Sequence, residues 1–519
     1  MADSSASPLL SQYDEDINNT SQPQFTFDMI IEQSLSDFGF SQLLQAVLVG
    51  IALFFDSQQI FITVFTDAYP TWHCVDRAIC DPTASDLCKL PRSAWDWDEP
   101  KGKSVISDFG LECSSSLLRG LPTSAVYVGS VLGGLVLVLI PDAFLGRKKL
   151  LFSLTLSMSL AGIAVSFVPN IWVYMALKFL IGFARSLIGT YVIVLITERV
   201  STRWRSRVGM IPFTLFVLGF ISLSGLAYAV RNSSWRVLYL CTSVPAALYC
   251  VFLYIFVLES PRWLNLQGRN DEAIDVLRKL STARGTHSES IFNRLPLKQE
   301  TLERGRKYSI RDLFVRKWAF RQILAVTVIM FGLGMSYYGV PLAARDINVN
   351  IYLSETLNAL VELPSFVLTP FLLENCSRRS SVLVSNLVGG ISGILCFLLS
   401  VLGRTKTAFA FELATFFSAR IGFNLMAVYV VEMFPTCVRN SATTIMRQAL
   451  VVGGVCSPIF TSLGTNLPSL SFAIFGFSMF VFGLFVLLLP ETKGSSLCDT
   501  MEEQEQRDQA VKLGVHSCG

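Results

Sequence analysis

Twelve runs of apolar residues, each long enough to cross a bilayer core of ~30 Å at 1.5 Å per residue, follow one another along this chain. Inside a bilayer every backbone N–H and C=O needs a partner within its own segment, so such runs fold as helices. Only 16% of the 519 residues are charged, against about 25% in a soluble domain. The expected fold class is an all-α membrane protein of twelve transmembrane helices. A net charge of +3 gives no basis for nucleic-acid binding, and the expected surroundings are a lipid bilayer.

A duplication organises the runs into two pseudo-symmetric six-helix halves. Glu198 ends an apolar run and is followed by Arg199, Arg203, Arg205 and Arg207, and the same grammar returns as Glu432 followed by Arg439. LGRKK at Leu145–Lys149 is matched by CSRRS at Cys376–Ser380, and LESPR at Leu258–Arg262 by LPETK at Leu489–Lys493. Landmarks repeated at membrane boundaries mark related halves facing one another. The halves are expected at 43–258 and 322–489, with a middle loop at 259–321 and tails at 1–42 and 490–519. The N-terminal tail is polar and lacks the basic and apolar regions of a cleaved secretory signal. Its Pro8–Leu10 reads either as a sorting signal or as part of a disordered tail.

The middle loop holds 14 Lys/Arg. Asn270 followed by DEAIDVLRKL reads there as a capped amphipathic helix with Ile274, Leu277 and Leu280 on one face. Even-numbered connections and tails together carry 27 Lys/Arg, the odd-numbered connections 11. The excess of basic residues assigns the even connections and both termini to the cytosol.

The opposite face receives the long connection 67–120, with Cys74, Cys80, Cys88 and Cys113. Four cysteines outside the membrane suggest two disulfides, and three connectivities are open. The loop has no asparagine to glycosylate, and the Asn232-Ser-Ser sequon lies close against the membrane. His73, His287 and His516 are far apart in sequence and no HExxH or CxxC pair occurs, so no metal site is expected. GKS at Gly102–Ser104 lacks the glycine that a phosphate loop requires. Nothing resembles a nucleophile–base pair, and an enzyme is not expected.

Polar residues inside the runs are the candidate functional groups. The first run contains Asp56, Gln58 and Gln59. A carboxylate at mid-membrane costs about 2.5–3.5 kcal/mol, so Asp56 faces either a wet pathway or a partner helix. Glu362 sits inside the eighth run, and burying it unpaired would cost several kcal/mol. A bound cation or proton is expected to compensate it.

ESPRWL at Glu259–Leu264, PETKG at Pro490–Gly494 and EMFPTCVR at Glu432–Arg439, on twelve spans with a long middle loop, resemble the major facilitator superfamily. With the cysteine-bearing first loop they look like the organic cation, carnitine and organic anion transporters. VFTDAYPTWHC at Val64–Cys74 and LITER at Leu195–Arg199 look most like the plant organic cation/carnitine transporters. The resemblance implies the major facilitator fold and a transporter working by alternating access. It implies a charge latch at the cytosolic mouth from Asp142, Arg147, Glu198 and Arg205, echoed by Glu259, Arg262, Glu432, Arg439 and Glu491. Val138 departs from the family glycine, and the stretch from Asp142 to Gly146 is one residue longer than in many relatives.

The resemblance also places a cation cage at Tyr337, Tyr338, Phe216 and Glu362, and Asp56 and Gln59 join the candidates from the first run. Ring quadrupoles hold a quaternary ammonium at about 0.5–2 kcal/mol each. Cation carriers of the family have an aspartate, and anion carriers an arginine, where this chain has Val451. Arg447 lies one turn nearer the cytosol, and a zwitterion such as carnitine would suit Glu362 with Arg447. The expected substrates are therefore small organic cations or carnitine, with H+ or Na+ coupling and no cofactor. A sugar porter and a transporter-fold receptor are the alternatives. The chain is expected to act as a monomer, in the vacuolar rather than the plasma membrane.

Both termini and residues 259–321 are expected on the cytosolic side. Protease protection of tagged termini in sealed, oriented vesicles checks this, and a tag on the opposite side would overturn it.

Overall fold

Each apolar run is a helix, because only a helix satisfies its backbone without outside partners. The computed structural model describes residues 27–76, 80, 87–137, 146–281, 310–347, 349–463, 469–494 and 498–512. The first half contains the spans α1 (Phe40–Thr66), α2 (Ser116–Leu137), α3 (Arg147–Val165), α4 (Ile171–Thr197), α5 (Thr202–Ala229) and α6 (Trp235–Phe256). The second half contains α7 (Lys317–Ile347), α8 (Ile351–Asn375), α9 (Arg378–Val401), α10 (Thr405–Met433), α11 (Thr436–Ser462) and α12 (Leu470–Leu488). Several run past the apolar core read from the sequence: α1 starts at Phe40 rather than Leu43, and α11 at Thr436 rather than Ala442. Polar residues at a helix end sit at the membrane interface, where water completes their hydrogen bonds.

The packing repeats the duplication. In the first half α1 packs on α5, α2 on α4 and α3 on α6; in the second α7 packs on α11, α8 on α10 and α9 on α12. The halves meet through α2 with α11 and through α5 with α8. These two contacts exchange under the same pseudo-two-fold relation. Small residues allow the close approaches. A Cβ on Gly182 of α4 would collide with the Val126 carbonyl oxygen of α2, and one on Gly334 of α7 with the Leu450 carbonyl oxygen of α11.

At one end, here the loop end, the 67–120 connection forms a small cap. Strands β1 (Trp72–Cys74) and β2 (Trp95–Trp97) pair antiparallel, with His73 opposite Asp96. Trp95, Trp97 and Leu87 bury against Tyr69, Trp72 and Leu90. Arg236 of α6 bonds Asp108 at 3.0 Å, and Arg345 of α7 donates to the Tyr69 carbonyl at 3.3 Å, so the cap touches both halves. The halves also close here through Tyr228 of α5 and Phe65 of α1, both against Tyr352 of α8.

At the opposite, basic end, the helix Phe27–Ser34 precedes α1 and packs on the middle loop. Ile31 and Leu35 join Trp263, Leu264, Ala273, Val276, Leu277 and Leu280 in one cluster. The amphipathic helix Asn270–Leu280 is present, but Asn270 is its first turn and not its hydrogen-bonding cap. Arg269 holds Glu272 of that first turn through its guanidinium instead. Pro8–Leu10 and Asp142 lie outside the described residues.

Overpacking a tight helix contact costs about 1–3 kcal/mol. Gly182→Val is expected to lower the unfolding temperature in detergent clearly. Gly225→Ala, where the added Cβ meets nothing within 4 Å, is expected to leave it unchanged or raise it.

Candidate transport site

The site grows from charges placed one helix apart inside each half. Asp56 of α1 receives Arg185 of α4 in a two-pronged pair, Nε to Oδ1 at 2.8 Å and Nη2 to Oδ2 at 2.9 Å. Arg185 also reaches the Ser130 hydroxyl of α2 at 3.4 Å. In the second half Arg420 of α10 lies 3.5 Å from Glu362 of α8, whose other oxygen accepts from the Tyr337 hydroxyl of α7 at 2.8 Å. Glu362 is fully buried and Arg420 nearly so. Arg420 also lies over the rings of Tyr337, Phe366 and Phe423. Glu362 thus has a protein counter-charge, where the sequence alone suggested a bound cation or proton. The physical reason is that α8 and α10 pack face to face, which brings a remote arginine into reach.

An aromatic layer joins these pairs across the halves. Phe61 of α1 stacks on Phe220 at 4.0 Å and meets Phe216 and Tyr337 edge-on at 6.2 Å each. Tyr337 stacks on Phe416 at 5.4 Å, and Tyr338 packs on Tyr127 of α2 at 4.8 Å. Arg447 of α11 donates to the Thr190 hydroxyl of α4 at 2.8 Å. It lies within electrostatic reach of Arg185, Asp56 and Tyr338, and no ion pair to it occurs among the described residues. Val451 lies one turn further along α11 and is buried.

Glu362, Tyr337, Tyr338, Phe216, Asp56 and Arg447 therefore gather around one layer. Gln59 is placed differently: its amide donates to Thr242 and Ser243 of α6, so it joins helices within the first half.

The duplicated charges at the basic end form matching clusters. The Glu259 carboxylate accepts from the Lys148 amide at 3.1 Å, and Glu491 accepts from the Arg378 and Arg379 amides at 2.9 and 3.1 Å. Each anion thus caps a helix N-terminus, where the helix dipole favours negative charge. Burial opposes ionisation of Glu491, yet the Lys493, Arg378 and Arg379 amides hold its pKa below the usual carboxylate value. Arg147 pairs with Glu198 at 3.8 Å, and Arg378 with Glu432 at 3.0 Å. Both pairs join helices of one half, not opposite halves. Arg205 pairs with Glu32 of the N-terminal helix at 3.5 Å rather than with Glu198. Arg262 lies within electrostatic reach of the same Glu32. Arg439 donates to the Phe434 carbonyl at 3.3 Å. In the cap, Cys74 bonds Cys80 and Cys88 bonds Cys113, which selects one of the three connectivities.

Two polar clusters were not anticipated. Asp67 accepts from Thr66, Thr123 and Tyr174, and Tyr174 and Lys178 both bond the Tyr239 hydroxyl. In the second half, Glu355 and Glu412 are fully buried beside Asn358. Lys178, Glu355 and Glu412 had a legible signal as charges inside apolar runs, whereas Asp67 lies just past the first run.

Two pseudo-symmetric halves of six spans each, with charged and aromatic side chains gathered between them, define a transporter of the major facilitator class. The model of the "Sugar (and other) transporter" family matches residues 46–503. The chain is 67% identical to "Organic cation/carnitine transporter 5" and 66% identical to "Organic cation/carnitine transporter 6" of Arabidopsis thaliana, over the whole of each sequence. It superposes on "Inward open conformation of the xylose transporter XylE from E. coli" with a TM-score of 0.66 at 18% identity, covering 90% of this chain and 99% of that one. The chain belongs to the sugar-and-other transporter family, among its organic cation/carnitine transporters.

Breaking a buried ion pair costs about 3–5 kcal/mol because the remaining charge is stranded. Arg420→Met and Glu362→Gln are each expected to lower the unfolding temperature in detergent. The double variant is expected to recover much of the loss, which a double-mutant cycle measures directly.

Proposed function

We propose that this chain carries small organic cations and, best of all, zwitterions that join a quaternary ammonium to a carboxylate, as carnitine does. The full-length likeness to the two Arabidopsis thaliana transporters carries this reading. The geometry supports the zwitterion in particular. Asp56 and Glu362 are each neutralised by an arginine, which leaves Arg447 as the uncompensated charge of the layer. A substrate carboxylate at Arg447 supplies the missing anion. The faces of Tyr337, Tyr338 and Phe216 receive the ammonium end, attracted by their ring quadrupoles.

Alternating access then exposes the site to one end at a time, driven by an H+ or Na+ gradient. In this conformation the loop end is closed by Tyr228, Phe65 and Tyr352. The chain acts as a monomer in the vacuolar membrane and has no enzymatic activity. The Pro8–Leu10 sequence and the asparagine-free first loop favour that membrane.

Uptake of labelled carnitine, tetraethylammonium and glucose into vesicles tests the reading. Carnitine uptake is expected, and Arg447→Gln is expected to lower it at least about tenfold, which needs only ~1.4 kcal/mol. Tetraethylammonium, which has no carboxylate, is expected to lose less. Uptake of glucose without carnitine would replace this reading by a sugar porter.

A further inference from the structure

A polar seam runs between α8 and α10. On α8 it is built from Glu355, Asn358, Glu362, Ser365 and Thr369, spaced three or four residues apart and all buried. The facing residues of α10 are Glu412, Arg420 and Asn424. Asn424 reaches Ser365 and Thr369 at 3.3 and 3.4 Å, and Arg420 answers Glu362 at 3.5 Å. At the end of the seam nearest the loop end, the Asn358 amide donates to Glu412 Oε1 at 2.9 Å. Glu412 Oε2 and both oxygens of Glu355 accept no hydrogen bond from the protein.

Glu355 and Glu412 are each 0% exposed and lie within electrostatic reach of one another. The other titratable groups that face them bring no positive charge. Cys396 of α9 is a buried thiol beside Glu412, and Asp346 at the end of α7 is a further acid. Arg420 is two turns further along α10 and already paired with Glu362. Two neighbouring buried carboxylates with no cation between them repel when both are ionised, so a proton on either relieves that cost. Among the described residues no group of three or more His, Cys, Asp or Glu is placed to hold a metal ion.

We propose that Glu355 and Glu412 form the proton-binding site that couples transport to a proton gradient. The site communicates with the substrate layer through Phe416, one turn from Glu412, which stacks on Tyr337. Tyr337 in turn holds Glu362. A proton entering or leaving the carboxylate pair changes the local charge by one unit, and the Glu362–Arg420 pair two turns away feels that change. Binding is a simple proton transfer from water to a carboxylate oxygen, with no other reactant. This inference rests on the transport reading above and adds the coupling ion and its site.

The experiment uses purified full-length protein, wild type and Glu355→Gln/Glu412→Gln, in two arms. In the first, infrared difference spectra across a pH step follow the carbonyl stretch of protonated carboxylic acids. A band that titrates in the wild type and is missing from the double variant is expected, whatever the substrate. In the second, proteoliposomes compare carnitine accumulation driven by a proton gradient with carnitine exchange at equal pH. The double variant is expected to lose accumulation at least about tenfold while keeping exchange within about twofold. Retained exchange shows that the variant folds, since glutamine has the shape of a protonated glutamate. The single variant Glu355→Gln, which keeps the Asn358–Glu412 bond, is expected to show the same split. Accumulation unchanged in the double variant, or no titrating band from these residues, would overturn the proposal. Accumulation that follows a sodium gradient at constant pH and disappears in the variant would overturn the proton in favour of a metal cation. If wild type moves no carnitine by either route, the substrate reading fails, and the infrared arm still decides the proton site.

Discussion

Charge buried inside a bilayer is costly unless an opposite charge cancels it at short range. This chain meets that demand once in each half, with Arg185 on Asp56 and Arg420 on Glu362. Both pairs tie helices of one half together, α1 to α4 and α8 to α10. At the basic end the pairs Arg147–Glu198 and Arg378–Glu432 also stay within a half. The strongest bonds therefore hold each half as a unit. Between the halves lie aromatic rings and isolated hydrogen bonds, such as Tyr127 on Tyr338 and Ser124 to the Val455 carbonyl. Such contacts carry no large desolvation penalty, so one half can rock on the other without stranding a charge.

The same accounting sets the chemistry of the central layer. Asp56 and Glu362 are each matched by an arginine, and Arg447 has no ion-pair partner among the described residues. Val451, in place of a charged residue, leaves that balance undisturbed. Glu355 and Glu412 are a separate matter, since they have no arginine and lie off the layer, within the second half.

The basic end shows how a repeated motif yields a repeated structure. Glu259 caps the start of α3 and Glu491 the start of α9 through backbone amides, and such contacts need only the right helix end nearby. Arg205 escapes the symmetry because the N-terminal helix brings Glu32 to it. Burial opposes ionisation of Glu32, yet the Thr202 hydroxyl and amide, with Arg205 and Arg262 nearby, hold its pKa below the ordinary carboxylate value. Its stabilisation is therefore present at neutral pH and is lost as pH falls through that lowered value.

The number of spans and their duplication into halves were legible in the chain itself, as were the polar and aromatic residues Asp56, Tyr337, Tyr338 and Glu362 inside the runs. Apolar length and motif spacing are properties of one dimension, and a bilayer leaves an apolar run few alternatives to a helix. Which groups pair was not legible. Glu362 finds Arg420, Arg205 finds Glu32, Gln59 turns to α6, and Cys74 takes Cys80 rather than Cys88 or Cys113. Each outcome depends on how a helix is rotated and which neighbour it meets, and many residues far apart in sequence set that rotation together. The tertiary structure therefore decided the partners, because a buried charge responds to whatever packing brings within a few ångströms of it.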